Sequence, residues 1–137
     1  MKIGALKETL AGEARVAMTP ASATDLRKLG HECLVESGAG VAAGFSDALY
    51  QGAGVTVVPD AAALLAAADV VVKVRPPTEA ETAALRSGQT LISFFWPGQN
   101  PELLAAAAGR GATVIAMDMV PRISRAQKMD ALSSMAN

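Results

Sequence analysis

The sequence predicts an α/β fold: a Rossmann-like, doubly wound and mostly parallel sheet in a single domain. Three observations predict it. Short apolar runs alternate with helical patterns along the chain. The strand runs are continuously apolar, which suits strands covered on both faces. Cap residues, prolines and glycines fall where such elements would start and stop. The 137 residues are enough for one domain with a real core, and no repeat, low-complexity tract or linker divides them.

The elements follow in order. KIGAL (2–6) is the first strand. TPASATDLRKLG (19–30) is a helix that opens with the cap residue Thr19 and a proline, Pro20, at the first helical position, and stops at Gly30. HECLVE (31–36) is a strand, SDALYQGA (46–53) a short helix and GVTVV (54–58) a strand. DAAALLAAA (60–68) is a helix capped by Asp60, and DVVVKV (69–74) is a buried strand. TEAETAALRSG (78–88) opens with Thr78 and Glu81 as a capping box and stops at Gly88. TLISFF (90–95) is a strand. NPELLAAAAGRG (100–111) is a helix that starts at Asn100-Pro101 and stops at Gly109 or Gly111, and ATVIAMDM (112–119) is the last strand.

Residues 124–137 read as one more helix. Ser124 and Gln127 form a capping box. Met129, Leu132 and Ala136 share an apolar face, and Gln127, Asp130, Ser134 and Asn137 share a polar one. No glycine or proline stop follows. The expectation is an α/β domain over 1–123 and, over 124–137, the start of an inter-domain helix in a longer protein.

Composition excludes several classes. Hydrophobic residues make up 51% and charged residues 18%, a globular balance. Twelve basic against 13 acidic residues give a net charge of −1, with no basic excess for nucleic acid or a membrane surface. One cysteine and one histidine exclude an internal disulfide framework, a multi-cysteine zinc site and a His-pair metal site. The start lacks the pattern of a secretory signal. The apolar run 61–72 is too short for a bilayer and contains Asp69. A soluble, cytoplasmic chain without direct membrane insertion is expected.

In an open α/β sheet, ligands sit beyond the carboxyl ends of the strands, so the strand-exit loops carry the candidates. Arg15, Lys73 and Arg122 lie in three of them and are placed to converge on an anionic or amide-bearing small molecule. The bland alternative is that each is a solvated loop charge. Lys73 follows Val70, Val71 and Val72 in a strand, and a buried lysine needs a partner. In ESGAGVAAGF (36–45), Gly38, Gly40 and Ala43 fit G-x-G-x-x-[GA], and Asp60 falls 20 residues after Gly40, where a ribose-binding acid would sit. Gly44 and Phe45 intervene before the helix, which favours a plain glycine-rich turn. Cys33 reads as a small core residue and His31 as a surface residue. Trp96 ends a strand and suits either the core or a cleft wall.

PRISRAQKMDALSSMAN (121–137) strongly resembles the NAD(H)-binding component of proton-translocating nicotinamide nucleotide transhydrogenase. The likeness runs through EARVAMTP (13–20), VESGAG (35–40), VVKVRPP (71–77), LISFFWPGQNPEL (91–103) and AMDMVPRISRAQ (116–127). It covers the front part of that component only. The resemblance implies a dimer of two-domain subunits, each closing a cleft over NAD(H). It implies hydride transfer to or from NADP(H) held on a separate component, and a membrane component that couples transfer to proton movement. The protein would then lie in the cytoplasm, peripheral on the inner face of the membrane.

The same resemblance assigns Arg122, Gln127, Asp130 and Ser133 to the nicotinamide side of the cleft, with Gln127 also reaching toward the NADP(H) partner. No catalytic acid or base is implied, because the cofactors carry the chemistry. In that family a second domain, absent from this chain, holds most of the NAD, so GAGVAA is not expected to be the cofactor turn. The chain alone is expected to bind NADH poorly and turn nothing over. The fold also resembles alanine dehydrogenase, in which residues matching Arg15 and Lys73 hold the carboxylate substrate and a histidine matches Trp96. Two alternatives stand beside the first reading: an alanine-dehydrogenase-like NAD-dependent oxidoreductase, and a non-catalytic dimerisation or scaffold domain.

Overall fold

Three helix starts behave as their cap residues dictate. The Thr19 hydroxyl accepts the Ser22 N–H, Asp60 accepts the Ala63 N–H at 2.8 Å, and Thr78 accepts the Glu81 N–H while Glu81 reaches back to the Thr78 N–H. These caps open α1 (Pro20–Lys28), α3 (Ala61–Ala67) and α4 (Glu79–Ala83) in the computed structural model, which describes residues 1–119. Ser46 caps α2 (Asp47–Gly52) in the same way. Asn100 stands at the start of α5 (Pro101–Gly109), but its side chain makes no cap bond and turns back to the preceding loop. The turn after α5 is closed at Gly111, where φ is +79°, a region that favours glycine.

The strands are β1 (Lys2–Ala5), β2 (Glu32–Glu36), β3 (Thr56–Val58), β4 (Val70–Val72), β5 (Thr90–Ser93) and β6 (Thr113–Ala116). All pair in parallel, in the order β3-β2-β1-β4-β5-β6. The expected mostly parallel sheet is therefore wholly parallel. Ile3 pairs with Cys33 on one side and Val70 on the other, and Ile92 pairs with Val72 and Ile115. The strands are shorter than their apolar runs. Lys73 falls just past β4, and the expected end of the last strand becomes a 3₁₀ turn at Met117–Met119. The expected helix at 124–137 lies outside the described residues.

Period-two alternation splits the apolar residues between two cores. Ile3, Ala5, Cys33 and Val35 pack with Ala23 of α1 and Tyr50 of α2. Leu34, Val71 and Leu91 pack on the other face with Leu64 and Leu65 of α3 and Ala107 of α5. Burial pushes the Cys33 thiol up, as expected of a small core residue. His31 is half-buried rather than on the surface, because its backbone is drawn against α1 by a bond to the Leu26 carbonyl.

The glycine-rich loop has a packing role. A Cβ at Gly40 would lie 2.6 Å from the Tyr50 ring and 2.9 Å from the Phe45 Cβ. Tyr50 is wholly buried, and its hydroxyl donates to the Met18 carbonyl at 2.7 Å, so the ring has nowhere to move. Gly40→Ala is therefore expected to destabilise the domain by about 1–3 kcal/mol through overpacking. Urea unfolding followed by circular dichroism checks this, with Gly52→Ala as a control because a Cβ there meets nothing within 4 Å.

Candidate functional site

The strand order reverses between β1 and β4, so the crevice at their carboxyl ends is the place where an open sheet offers a ligand site. The residues that line it are set by a shortage of acceptors. Beyond the last ladder bond, each strand-exit loop carries N–H groups that need partners. Carboxylates supply them. Glu36 accepts the Lys7 N–H at 2.9 Å, although burial pushes its pKa up. Glu8 accepts two consecutive N–H groups, from Val74 at 2.9 Å and from Arg75 at 3.0 Å. Asp118 does the same on β5's exit, taking the Phe95 N–H at 2.7 Å and the Trp96 N–H at 3.0 Å.

Lys73 finds the partner that its burial demands. Its Nζ donates to Glu8 at 2.9 Å and lies 3.7 Å from Glu81, with the Lys73 and Glu8 side chains each 2% exposed. The Ser93 hydroxyl, buried at the end of β5, has no partner among the described residues. Arg15 and Arg75 share Glu13. Arg15 Nη2 and Arg75 Nε each donate to its Oε1 at 2.7 Å, while the Arg15 N–H and Nε each reach Oε2 at 2.9 Å. The Glu13 carboxylate is 3% exposed, but the two guanidiniums are more than a third exposed. The Arg15 guanidinium holds the Glu13 carboxyl well below the usual carboxylate range, and Glu13 in turn raises Arg15. Arg75 links the two groups, because its backbone N–H binds Glu8 while its side chain binds Glu13.

Trp96 stands at the β5 exit with φ +48°, the one non-glycine residue with positive φ among the described residues. Its carbonyl accepts the Gln99 and Asn100 N–H groups and the Asn100 Nδ2. The indole stacks on Phe94 at 5.8 Å and remains 36% exposed, so it is a wall residue rather than a core one. An open groove of about 530 Å³ lies beside this loop, lined by Thr78, Glu79, Gln99, Asn100 and Glu102 among others, and it does not include Lys73 or Arg15.

The structure thus brings Lys73 and Arg15 to one end of the sheet through the carboxylates Glu8 and Glu13, with Trp96 farther along the same edge. Arg122, Gln127, Asp130 and Ser133 lie outside the described residues. The G-x-G-x-x-[GA] spacing is not a phosphate cradle here. The Gly38 N–H donates to Asp47 at 2.9 Å and Ser37 donates to the same carboxylate at 2.6 Å, which lowers the Asp47 pKa. Asp60 is engaged as the cap of α3. Sequence reasoning missed Asp118 because the apolar run ATVIAMDM carries it inside an expected strand. Its signal was an acid two residues past the last paired position, Ala116.

The family pattern for the N-terminal domain of alanine dehydrogenase/PNT matches residues 4–137. The chain is 70% identical over all its 137 residues to NAD(P) transhydrogenase subunit alpha from Cereibacter sphaeroides, and it spans 26% of that protein's length. It is 38% identical over 120 residues to alanine dehydrogenase from Halomonas elongata, covering 88% of this chain and 32% of that one. The crystal structure of transhydrogenase from Sinorhizobium meliloti superposes with a TM-score of 0.91 at 41% identity, over 98% of this chain and 40% of that one. The chain therefore spans well under half the length of these relatives.

Two predictions follow from the ion pairs. Lys73→Met leaves Glu8 buried without its cation and is expected to cost about 3–5 kcal/mol in urea unfolding, with Glu8→Gln in the same chain recovering part of the loss. For Glu13, the folded pKa is depressed, so its stabilisation is fully present above the unfolded carboxylate range and is lost as pH falls through and below that range. The thermal midpoint of the parent should thus exceed that of Glu13→Gln at neutral pH, with the gap narrowing toward about pH 3.

Proposed function

Because the chain belongs to the alanine dehydrogenase/PNT N-terminal domain family, we propose that it is the first domain of the NAD(H)-binding component of a proton-translocating transhydrogenase. The observation that carries this reading is the 70% identity to a transhydrogenase subunit over the whole chain, against 38% over 120 residues to an alanine dehydrogenase. In the reading, residues 1–123 form the domain, residues 124–137 begin the inter-domain helix, and a second domain supplies most of the NAD grip. The complete protein is a homodimer that works with an NADP(H)-binding component and a membrane component, on the inner face of the membrane. Its hydride transfer between NAD(H) and NADP(H) is coupled to proton translocation.

The described residues fit one end of the cofactor. The nicotinamide supplies the hydride chemistry when bound. Trp96 offers a planar wall, and the guanidiniums of Arg15 and Arg75, each more than a third exposed, bring positive charge to the carboxyl end of the sheet. The glycine loop offers no pyrophosphate cradle, because the Gly38 N–H is engaged by Asp47. Arg122, Gln127, Asp130 and Ser133 are assigned to orient the carboxamide and ribose. A guanidinium, an amide, a carboxylate and a hydroxyl hold such groups without moving a proton, and positioning is what direct hydride transfer needs. The indole at Trp96 stands where a histidine is expected in alanine dehydrogenases, and amino-acid oxidation must move protons as well as hydride.

The test uses the complete subunit with its partner components. Gln127→Ala and Asp130→Asn are expected to lower kcat for hydride transfer by about 10- to 100-fold. NADH affinity, read by fluorescence titration, should change much less. Unchanged kcat in both variants would overturn the site assignment. Pyruvate-dependent oxidation of NADH with ammonium would overturn the transhydrogenase reading in favour of an amino-acid dehydrogenase.

A further inference from the structure

We propose that Asp118 is a positioning residue that locks the Trp96 indole as a fixed aromatic wall for a planar ring of the bound nucleotide. Both of its carboxylate oxygens are used, one on the Phe95 N–H at 2.7 Å and one on the Trp96 N–H at 3.0 Å. In the same turn, Asn100 Nδ2 donates to the Phe95 and Trp96 carbonyls at 2.9 and 3.1 Å, in place of capping α5. The turn is therefore gripped from two elements at once.

What the grip holds is a residue in an unfavourable conformation. A bulky side chain at φ +48° costs free energy and persists only where its surroundings over-determine it. Burial does not explain the choice of tryptophan, because the indole is 36% exposed and, among the described residues, its ring stacks on Phe94 alone. The residue instead stands partly exposed past the carboxyl end of β5, one strand from the β1–β4 reversal at whose carboxyl ends an open sheet binds its ligand. Asp118 also sits in the Met117–Met119 turn, four residues before Arg122.

The ligand in this proposal rests on the function proposed above, whereas the clamp rests on the geometry alone. The test separates them. In this chain, whose only tryptophan is Trp96, Asp118→Ala should raise acrylamide quenching and lower fluorescence anisotropy, and Asp118→Glu should recover most of both. The loss of thermal midpoint caused by Asp118→Ala should shrink in a Trp96→Gly background, because glycine adopts φ +48° freely. In the complete subunit, Asp118→Ala should raise the KM for NADH about fivefold, the scale of one aromatic stacking contact. Unchanged quenching in a folded Asp118→Ala variant would overturn the clamp. Raised quenching with an unchanged KM would overturn its role toward the nucleotide. If the parent subunit does not use NADH, the transhydrogenase reading fails, and the quenching and midpoint measurements still decide the clamp.

Discussion

The buried pair between Glu8 and Lys73 is the constraint on which the carboxyl edge depends. Lys73 leaves β4 beside the point where the strand order reverses, and its side chain is 2% exposed. An ammonium there is tolerable only against a carboxylate, and a carboxylate there is tolerable only if its remaining lone pairs are used. Glu8 meets both conditions by taking the Val74 and Arg75 N–H groups as well as the Lys73 Nζ. The pair does three things together. It neutralises a charge in the core, satisfies two orphan donors, and fixes the loop after β1 to the loop after β4. Arg75 is thereby held where its guanidinium meets Glu13, and Glu13 in turn orders Arg15.

The same logic repeats along the edge with different residues. Asp118 binds two consecutive N–H groups of the β5 exit, as Glu8 does for the β4 exit. Asp47 binds the Gly38 N–H after β2. Glu8 and Asp118 sit on neighbouring strand exits, so each fixes one loop to the next, whereas Asp47 closes the β2 exit loop on the start of its own helix α2. Charge-assisted bonds of this kind are stronger than neutral ones.

Much of the fold was legible from the chain. The continuous apolar runs foretold a parallel sheet, and Thr19, Asp60 and the Thr78–Glu81 pair cap the helices that they announce. These signals are local, acting over three or four residues. The misreadings were non-local. The end of β6 was expected to continue to residue 119, because an apolar run does not reveal that Asp118 turns back to meet β5. Asn100 looked like a cap, yet its amide serves the Trp96 loop. Gly38, Gly40 and Ala43 read as a plain turn despite their dinucleotide spacing, and the structure agrees, though spacing carries no information on where the Asp47 carboxylate or the Tyr50 ring will lie. The demand of Lys73 for a partner was legible; which acid answers it was not, since Glu8 is 65 residues away.

The carboxylates bear on the kind of chemistry that this edge supports. An acid–base catalyst must be free to exchange its proton with a reacting group and be tuned near the working pH. Glu8, Glu13, Asp47 and Asp118 are instead acceptors of N–H groups or cations, and Glu13 is held far toward its ionised form. Glu36 is pushed the other way by burial, but it too accepts a backbone N–H, from Lys7. Acids arranged like this hold geometry. An edge of that kind suits a reaction in which a cofactor delivers hydride directly and the protein's contribution is alignment. It suits poorly a reaction that must deprotonate an amine or a hydroxyl in the same step. The proposed transhydrogenase role and the tryptophan at position 96 are consistent on this point for a single reason: both remove the need for a proton carrier at the end of β5.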